Sequence, residues 1–211
     1  MGELVLGGMT ESGRALASKI LTPVASVLLR AKVSPDAVTV IGTTGVAASA
    51  LIFFPRGQFF VGTLVICIFV FSDSLDGTMA RLAGRSSNWG AFLDSTLDRV
   101  ADAAIFVGIA LWYAGDGDNL LLVGVTLAGL VSGMLVSYAR SRAETVGADA
   151  RVGIAERTER LVLILVAAGL SGLFDQPVIL SVGAWLVAAL SWITVGQRIW
   201  AVRRQLMPER T

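Results

Sequence analysis

The 211-residue chain has no histidine, a single cysteine, and only 16% Asp, Glu, Lys and Arg. Without histidine there is no Ser-His-Asp triad, no imidazole base and no His-ligated zinc, and Cys67 alone forms neither a disulfide nor a thiolate cluster. Acid, base and metal chemistry therefore falls to aspartate and glutamate. The shortage of charge is equally informative: soluble domains average about 25% charged and about 45–50% apolar residues, against 16% and 55% here. So little charge does not cover a water-facing surface of this size, and the chain reads as an all-α polytopic membrane protein. The formal net charge of +1 leaves no electrostatic footprint for nucleic acid. With no Pro- or Ser-rich linker and no internal repeat, residues 1–211 read as one domain.

Runs free of charge give six candidate spans. The clearest, 37–54, 119–139 and 176–197, approach the ~20 residues that cross ~30 Å of hydrocarbon as a helix. Segment 57–72 is apolar but short. Segment 90–113 spans only with Asp94, Asp98, Arg99 and Asp102 inside it, and 161–174 spans if its helix starts near Ile154. Together these predict a six-helix bundle over 37–200. Alternating the loops puts every Lys and Arg except Arg56 and Arg99 on one side. The positive-inside rule makes that side cytoplasmic, with both termini on it, in the cell membrane.

Residues 1–9 carry Glu3 and no basic residue ahead of an apolar core, which is not a signal-peptide pattern. In 12–30, Leu16, Ile20, Val24, Val27 and Leu28 recur at helical spacing among Arg14, Lys19 and Arg30, predicting an amphipathic helix lying along the cytoplasmic face. Ser34-Pro35-Asp36 then supplies a helix start.

The chemistry concentrates in two neighbouring segments. Asp73, Asp76 and Ala80 fall at i, i+3 and i+7; Gly90, Asp94 and Asp98 fall at i, i+4 and i+8. On helices each set makes one stripe, and the turn-forming residues of 82–89 let the two stripes face each other. Four carboxylates in a poorly solvated place repel one another and are costly to ionise. An all-oxygen set without imidazole or thiolate points to hard cations, Mg²⁺ or Mn²⁺, and two such ions suit displacement at phosphorus. Asp102, one turn further along, has the periodicity of the stripe and reads as structural support.

The pattern D-x-x-D-G-x-x-A-R-x8-G-x3-D-x3-D, met by Asp73, Asp76, Gly77, Ala80, Arg81, Gly90, Asp94 and Asp98, resembles the signature of the CDP-alcohol phosphotransferases. The six-span layout and the S-P-D-A-V-T start of the first span are also similar to that family. The resemblance implies an enzyme that transfers the phosphatidyl group of CDP-diacylglycerol to an alcohol and releases CMP. It assigns Asp73, Asp76, Asp94 and Asp98 to two divalent cations and Asp98 also to the acceptor's proton. Asp36, Ala37, Val38, Thr39, Gly77, Ala80, Arg81, Ser87 and Gly90 become donor contacts, and a homodimer is implied.

Residues 137–144, with Ser137 and Arg140, and 156–161, with Arg157 and Arg160, resemble the bacterial phosphatidylinositol phosphate synthases, and Arg198 is a further member of the set. Inositol 1-phosphate is then the acceptor, and its dianion calls for a cationic pocket. The rival reading of these arginines is that they only enforce topology. Where that subfamily commonly has lysine, this chain has Arg140, which leaves the acceptor open. Two other functions compete: a phosphatidylglycerophosphate synthase using glycerol 3-phosphate, and, from a different class, a divalent-cation transporter. A transport path would carry polar residues across the bilayer, whereas the span halves nearest Asp116 and Asp175 are apolar.

Overall fold

The computed structural model describes residues 11–82, 84 and 87–207, with backbone alone for 11–20, 71–74, 76 and 80. Residues 1–9, read above as lacking a signal peptide, lie outside the described residues. The described residues form seven α-helices and a short 3-10 turn, with no strand: α1 (Glu11–Arg30), α2 (Pro35–Phe53), the turn Phe54–Arg56, α3 (Phe59–Leu82), α4 (Asn88–Ala114), α5 (Leu120–Thr145), α6 (Arg157–Phe174) and α7 (Pro177–Leu206). Among the described residues three stretches are long and apolar enough to cross a membrane: Pro35–Arg56, Leu120–Thr145 and Pro177–Leu206. Large apolar side chains such as Ile41, Ile68, Val162 and Val178 are exposed along the helices, as lipid-facing surfaces require.

The chain divides into two compact units, Met1–Ala50 with Leu64–Ala104, and Leu51–Thr63 with Ile105–Thr211. In the first, α1 ends in a Schellman motif: the Val33 N–H donates to Leu28 O and the Lys32 N–H to Leu29 O, with Lys32 left-handed at φ 60°. Ser34 then caps α2, its hydroxyl accepting from the Ala37 N–H at 3.2 Å, and Pro35 takes the first helical position, where a missing N–H costs nothing. Ala25 of α1, Val38 of α2 and Met79 of α3 form a buried cluster, flanked by Leu28, Leu29, Val33 and Leu75. Further along, Gly45 leaves α2 bare where the Phe69 ring of α3 lies against it.

In the second unit α7 packs against both α5 and α6, which meet each other at few points. Only Asp175, left-handed at φ 52°, and Gln176 separate α6 from α7, and Pro177 opens α7. At the start of α7 the Tyr113 and Ser181 hydroxyls share a 3.0 Å hydrogen bond.

Two boundaries differ from the sequence expectation. The α3–α4 connection is shorter than 82–89, because Leu82 still belongs to α3 and Asn88 and Trp89 already belong to α4. Helix α6 begins at Arg157, not near Ile154. The preceding residues are taken up by α7: the Ala155 N–H donates to Thr194 Oγ1 at 3.0 Å and Arg198 Nε donates to Val152 O at 2.9 Å, so these backbone groups are committed to α7 and not to a further turn of α6.

Candidate active site

Within the first unit, the cluster of Val38 and Met79 brings the start of α2 beside the end of α3. The start of α4 joins them through Trp89, whose indole Nε1 donates to Asp36 Oδ2 at 3.1 Å across 53 residues of sequence. Ser87 caps the first turn of α4, its hydroxyl accepting from the Gly90 N–H at 3.0 Å. A Cβ on Gly90 would lie 3.4 Å from Ser87 Oγ and 3.9 Å from Asp36 Oδ1. Asp36 to Thr39, Ser87 and Gly90 are thus gathered at one end of the unit.

Along the end of α3, Met79 is buried while Arg81 is exposed, with Arg81 Nη2 donating to Thr78 Oγ1 at 3.1 Å. Among the described residues, Gly77 has open space where a Cβ would stand, with nothing within 4 Å. A backbone left bare beside free volume is where a ligand can approach closely.

Of the four signature aspartates, Asp94 is half-buried and Asp98 is buried in α4, with Arg99 Nη2 3.5 Å from Asp98 Oδ2. Asp102 is also buried. Asp73 and Asp76 lie on α3 and Ala80 beyond them on the same helix, but their side chains are outside the described residues. Among the described residues no three metal-ligating side chains converge. The donor chemistry nevertheless suits a hard cation: a buried carboxylate without imidazole or thiolate neighbours is oxygen ligation, which Mg²⁺ and Mn²⁺ favour.

The second unit holds the basic residues singled out for the acceptor. Gly133, Val136, Ser137 and Arg140 share one face of α5. Gly133 makes room for Arg160: a Cβ there would lie 3.0 Å from Arg160 Nε. The Val136 carbonyl accepts from Arg198 Nη1 at 2.7 Å, and Ser137 Oγ bonds the Gly133 carbonyl at 3.3 Å. Arg160 and Arg198 are both 2% exposed. Arg160 Nη1 reaches Ala155 O at 3.4 Å, and Arg198 Nη2 reaches Glu156 Oε1 at 3.2 Å. Arg140 stands 3.5 Å from Glu144 Oε1, which also has Arg151 at 4.0 Å. Arg157, half-buried, opens α6. Ser137, Arg140, Arg160 and Arg198 are therefore brought to the C-terminal half of α5. The Arg198 guanidinium is bonded to two carbonyls and a carboxylate of its own chain, more than a topological anchor needs.

Sequence reasoning missed two participants. Trp89 directly precedes Gly90 of the motif, and its position was a usable signal. Glu156 was read only as part of a basic segment, and nothing local reveals its pairing with Arg198.

The sequence profile of CDP-alcohol phosphatidyltransferases matches residues 32–201. The chain belongs to the CDP-alcohol phosphatidyltransferase family. It is 55% identical to the phosphatidylinositol phosphate synthase of Streptomyces avermitilis, covering 93% of this chain and 83% of that one. The Cutibacterium acnes enzyme of the same name is 49% identical, over 93% of this chain and 98% of that one. Among solved structures, Mycobacterium tuberculosis phosphatidylinositol phosphate synthase with CDP-DAG bound superposes with a TM-score of 0.84 at 44% identity, covering 88% of this chain and 94% of that one. A structure of the same mycobacterial protein with manganese and citrate gives 0.81 at 44% identity, covering 86% and 88%. As a CDP-alcohol phosphatidyltransferase with three long apolar helices, this chain is a membrane-embedded transferase of a family that works with divalent metal.

Proposed function

We propose that this transferase moves the phosphatidyl group of CDP-diacylglycerol to inositol 1-phosphate, releasing CMP and forming phosphatidylinositol phosphate. The observation that carries the donor half is the gathering of Asp36 to Thr39, the end of α3 and the start of α4 at one end of a single unit. Asp36, Ala37, Val38, Thr39, Gly77, Ala80, Arg81, Ser87 and Gly90 hold the cytidine diphosphate head. Gly77 offers bare backbone to it, and Arg81, exposed and held to Thr78 by a single bond, is a cation that can turn toward phosphate.

Asp73, Asp76, Asp94 and Asp98 hold two divalent cations, Mg²⁺ or Mn²⁺, which when bound draw charge from the diphosphate and ease departure of CMP. Asp98 accepts the proton of the attacking hydroxyl; its burial keeps water from competing for that role. Ser137, Arg140, Arg157, Arg160 and Arg198 hold the acceptor phosphate, and the identity to phosphatidylinositol phosphate synthases supports inositol 1-phosphate as that acceptor.

In the bilayer, α2 to α7 supply six spans with both termini cytoplasmic, α1 lies along the cytoplasmic surface, and two copies form a homodimer. At 18 residues, α6 is ~27 Å long, a little under the ~30 Å hydrocarbon core, so it crosses only at the short end of the range for a spanning helix. The test is CMP release by purified protein given CDP-diacylglycerol, Mg²⁺ and each acceptor separately. Release with inositol 1-phosphate is expected. Release with glycerol 3-phosphate alone would make the protein a phosphatidylglycerophosphate synthase, and none with either would end the assignment.

A further inference from the structure

Between α5 and α6, residues 149–155 run along α7 and are tied to it at three points. The Gln205 side chain grips both backbone groups of one residue, accepting from the Asp149 N–H at 2.8 Å and donating to Asp149 O at 2.6 Å. Arg198 Nε donates to Val152 O. Thr194 Oγ1 accepts from the Ala155 N–H at 3.0 Å while donating to Leu190 O at 2.9 Å, so its buried hydroxyl both donates and accepts.

The helix contacts descend as the strap contacts ascend, so the two run antiparallel. From Thr194 to Gln205 is ~16 Å of helix at 1.5 Å per residue, and residues 149–155 extend over at most ~20 Å. The segment is therefore nearly straight. Ala148 and Ala150 are buried with Ala143 against Val202, the α7 residue between Arg198 and Gln205 on the same stripe. Gly153 sits at φ 143°, a conformation side chains rarely adopt, where a Cβ would strike the Thr194 methyl.

This strap ends where α6 begins. Ala155, its last anchored residue, also accepts from Arg160, and Glu156 and Arg157 follow directly. The placement of the first turn of α6, and of the two arginines it carries, is thus set by a side-chain ladder on α7. We infer that Thr194 and Gln205 are positioning residues for the acceptor phosphate: they fix the strap, and through it Arg157 and Arg160. This rests on the proposed role of those arginines. Neither Thr194 nor Gln205 is assigned to substrate.

The experiment compares wild type with Q205A, T194V and T194S, measuring steady-state CMP release and hydrogen exchange of peptides covering 149–155. Gln205 is exposed, so Q205A leaves the core untouched even if T194V folds poorly. Faster exchange in the strap is expected for Q205A and T194V. With it, KM for inositol 1-phosphate should rise about tenfold while kcat and KM for CDP-diacylglycerol stay within about twofold; T194S, which keeps the hydroxyl, should restore wild-type values. A loosened strap with an unchanged acceptor KM would overturn the inference, as would equal losses toward both substrates, the mark of general destabilisation. Unchanged exchange would show that the ladder does not hold the strap. A wild type that uses no phosphorylated acceptor refutes the proposed function instead, which separates the two failures.

Discussion

Replacing Arg198 by methionine keeps the apolar stem and removes every donor. The guanidinium serves Val136 O at 2.7 Å, Val152 O at 2.9 Å and Glu156 Oε1 at 3.2 Å, at 2% exposure. Hydrogen bonds from a charged donor are worth about 1.5–3 kcal/mol each. The two carbonyls then account for roughly 3–6 kcal/mol, and the Glu156 contact, whose side chain is 32% exposed, adds under about 1 kcal/mol after solvent screening. Removing one partner of a buried ion pair costs about 3–5 kcal/mol by independent measure, so the sum is consistent. For a chain of this length each 1 kcal/mol moves a melting midpoint by about 2–4 °C, so a drop on the order of 10 °C is expected. Intrinsic tryptophan fluorescence during heating in detergent reads it. R198K, which retains a charge near Glu156 but satisfies fewer carbonyls, should fall between wild type and R198M. A midpoint for R198M within about 2 °C of wild type would refute the reasoning, because it would mean these bonds are not made in the folded protein.

Asp98→Asn should lower CMP release by at least ~100-fold, the low end for losing a positioned base, while CDP-diacylglycerol binding by titration stays measurable; undiminished release would remove Asp98 as the base. Trp89→Phe deletes the bond to Asp36, worth about 1 kcal/mol in this exposed setting, and should raise KM for CDP-diacylglycerol roughly fivefold with acceptor KM unchanged. A donor KM equal to wild type would show that the indole does not hold Asp36. A chelator should abolish CMP release and excess Mg²⁺ or Mn²⁺ should restore it; activity indifferent to chelation would undo the carboxylate assignment.

What could be read from sequence was what is local. Ser34-Pro35 announces the start of α2 because a cap and a first-turn proline act within four residues. The helix beginning at Glu11 follows from apolar spacing alone, and the three longest apolar runs reappear as α2, α5 and α7. The aspartate stripe of α4 is legible for the same reason, since helical periodicity carries Asp94 and Asp98 to one face. What stayed hidden depends on pairing across distance. Arg198 is bonded to residues 42, 46 and 62 positions away, and no short window contains both ends. The late start of α6 is of this kind: spanning length asks for a start near Ile154, and bonds from another helix hold that backbone instead.

Because α7 is the common partner of α5 and α6, synthesis order matters. A ribosome delivers α5 and α6 before the helix that joins them exists, and with few contacts of their own they start as loosely associated neighbours. The hairpin made by Asp175 and Gln176 brings α7 in alongside α6, and only its closing turns, those bearing Arg198 and Gln205, draw the preceding loop into place. Maturation of the basic half is therefore a late event, and a nonsense codon shortly before Arg198 would leave a chain that inserts yet never assembles that half.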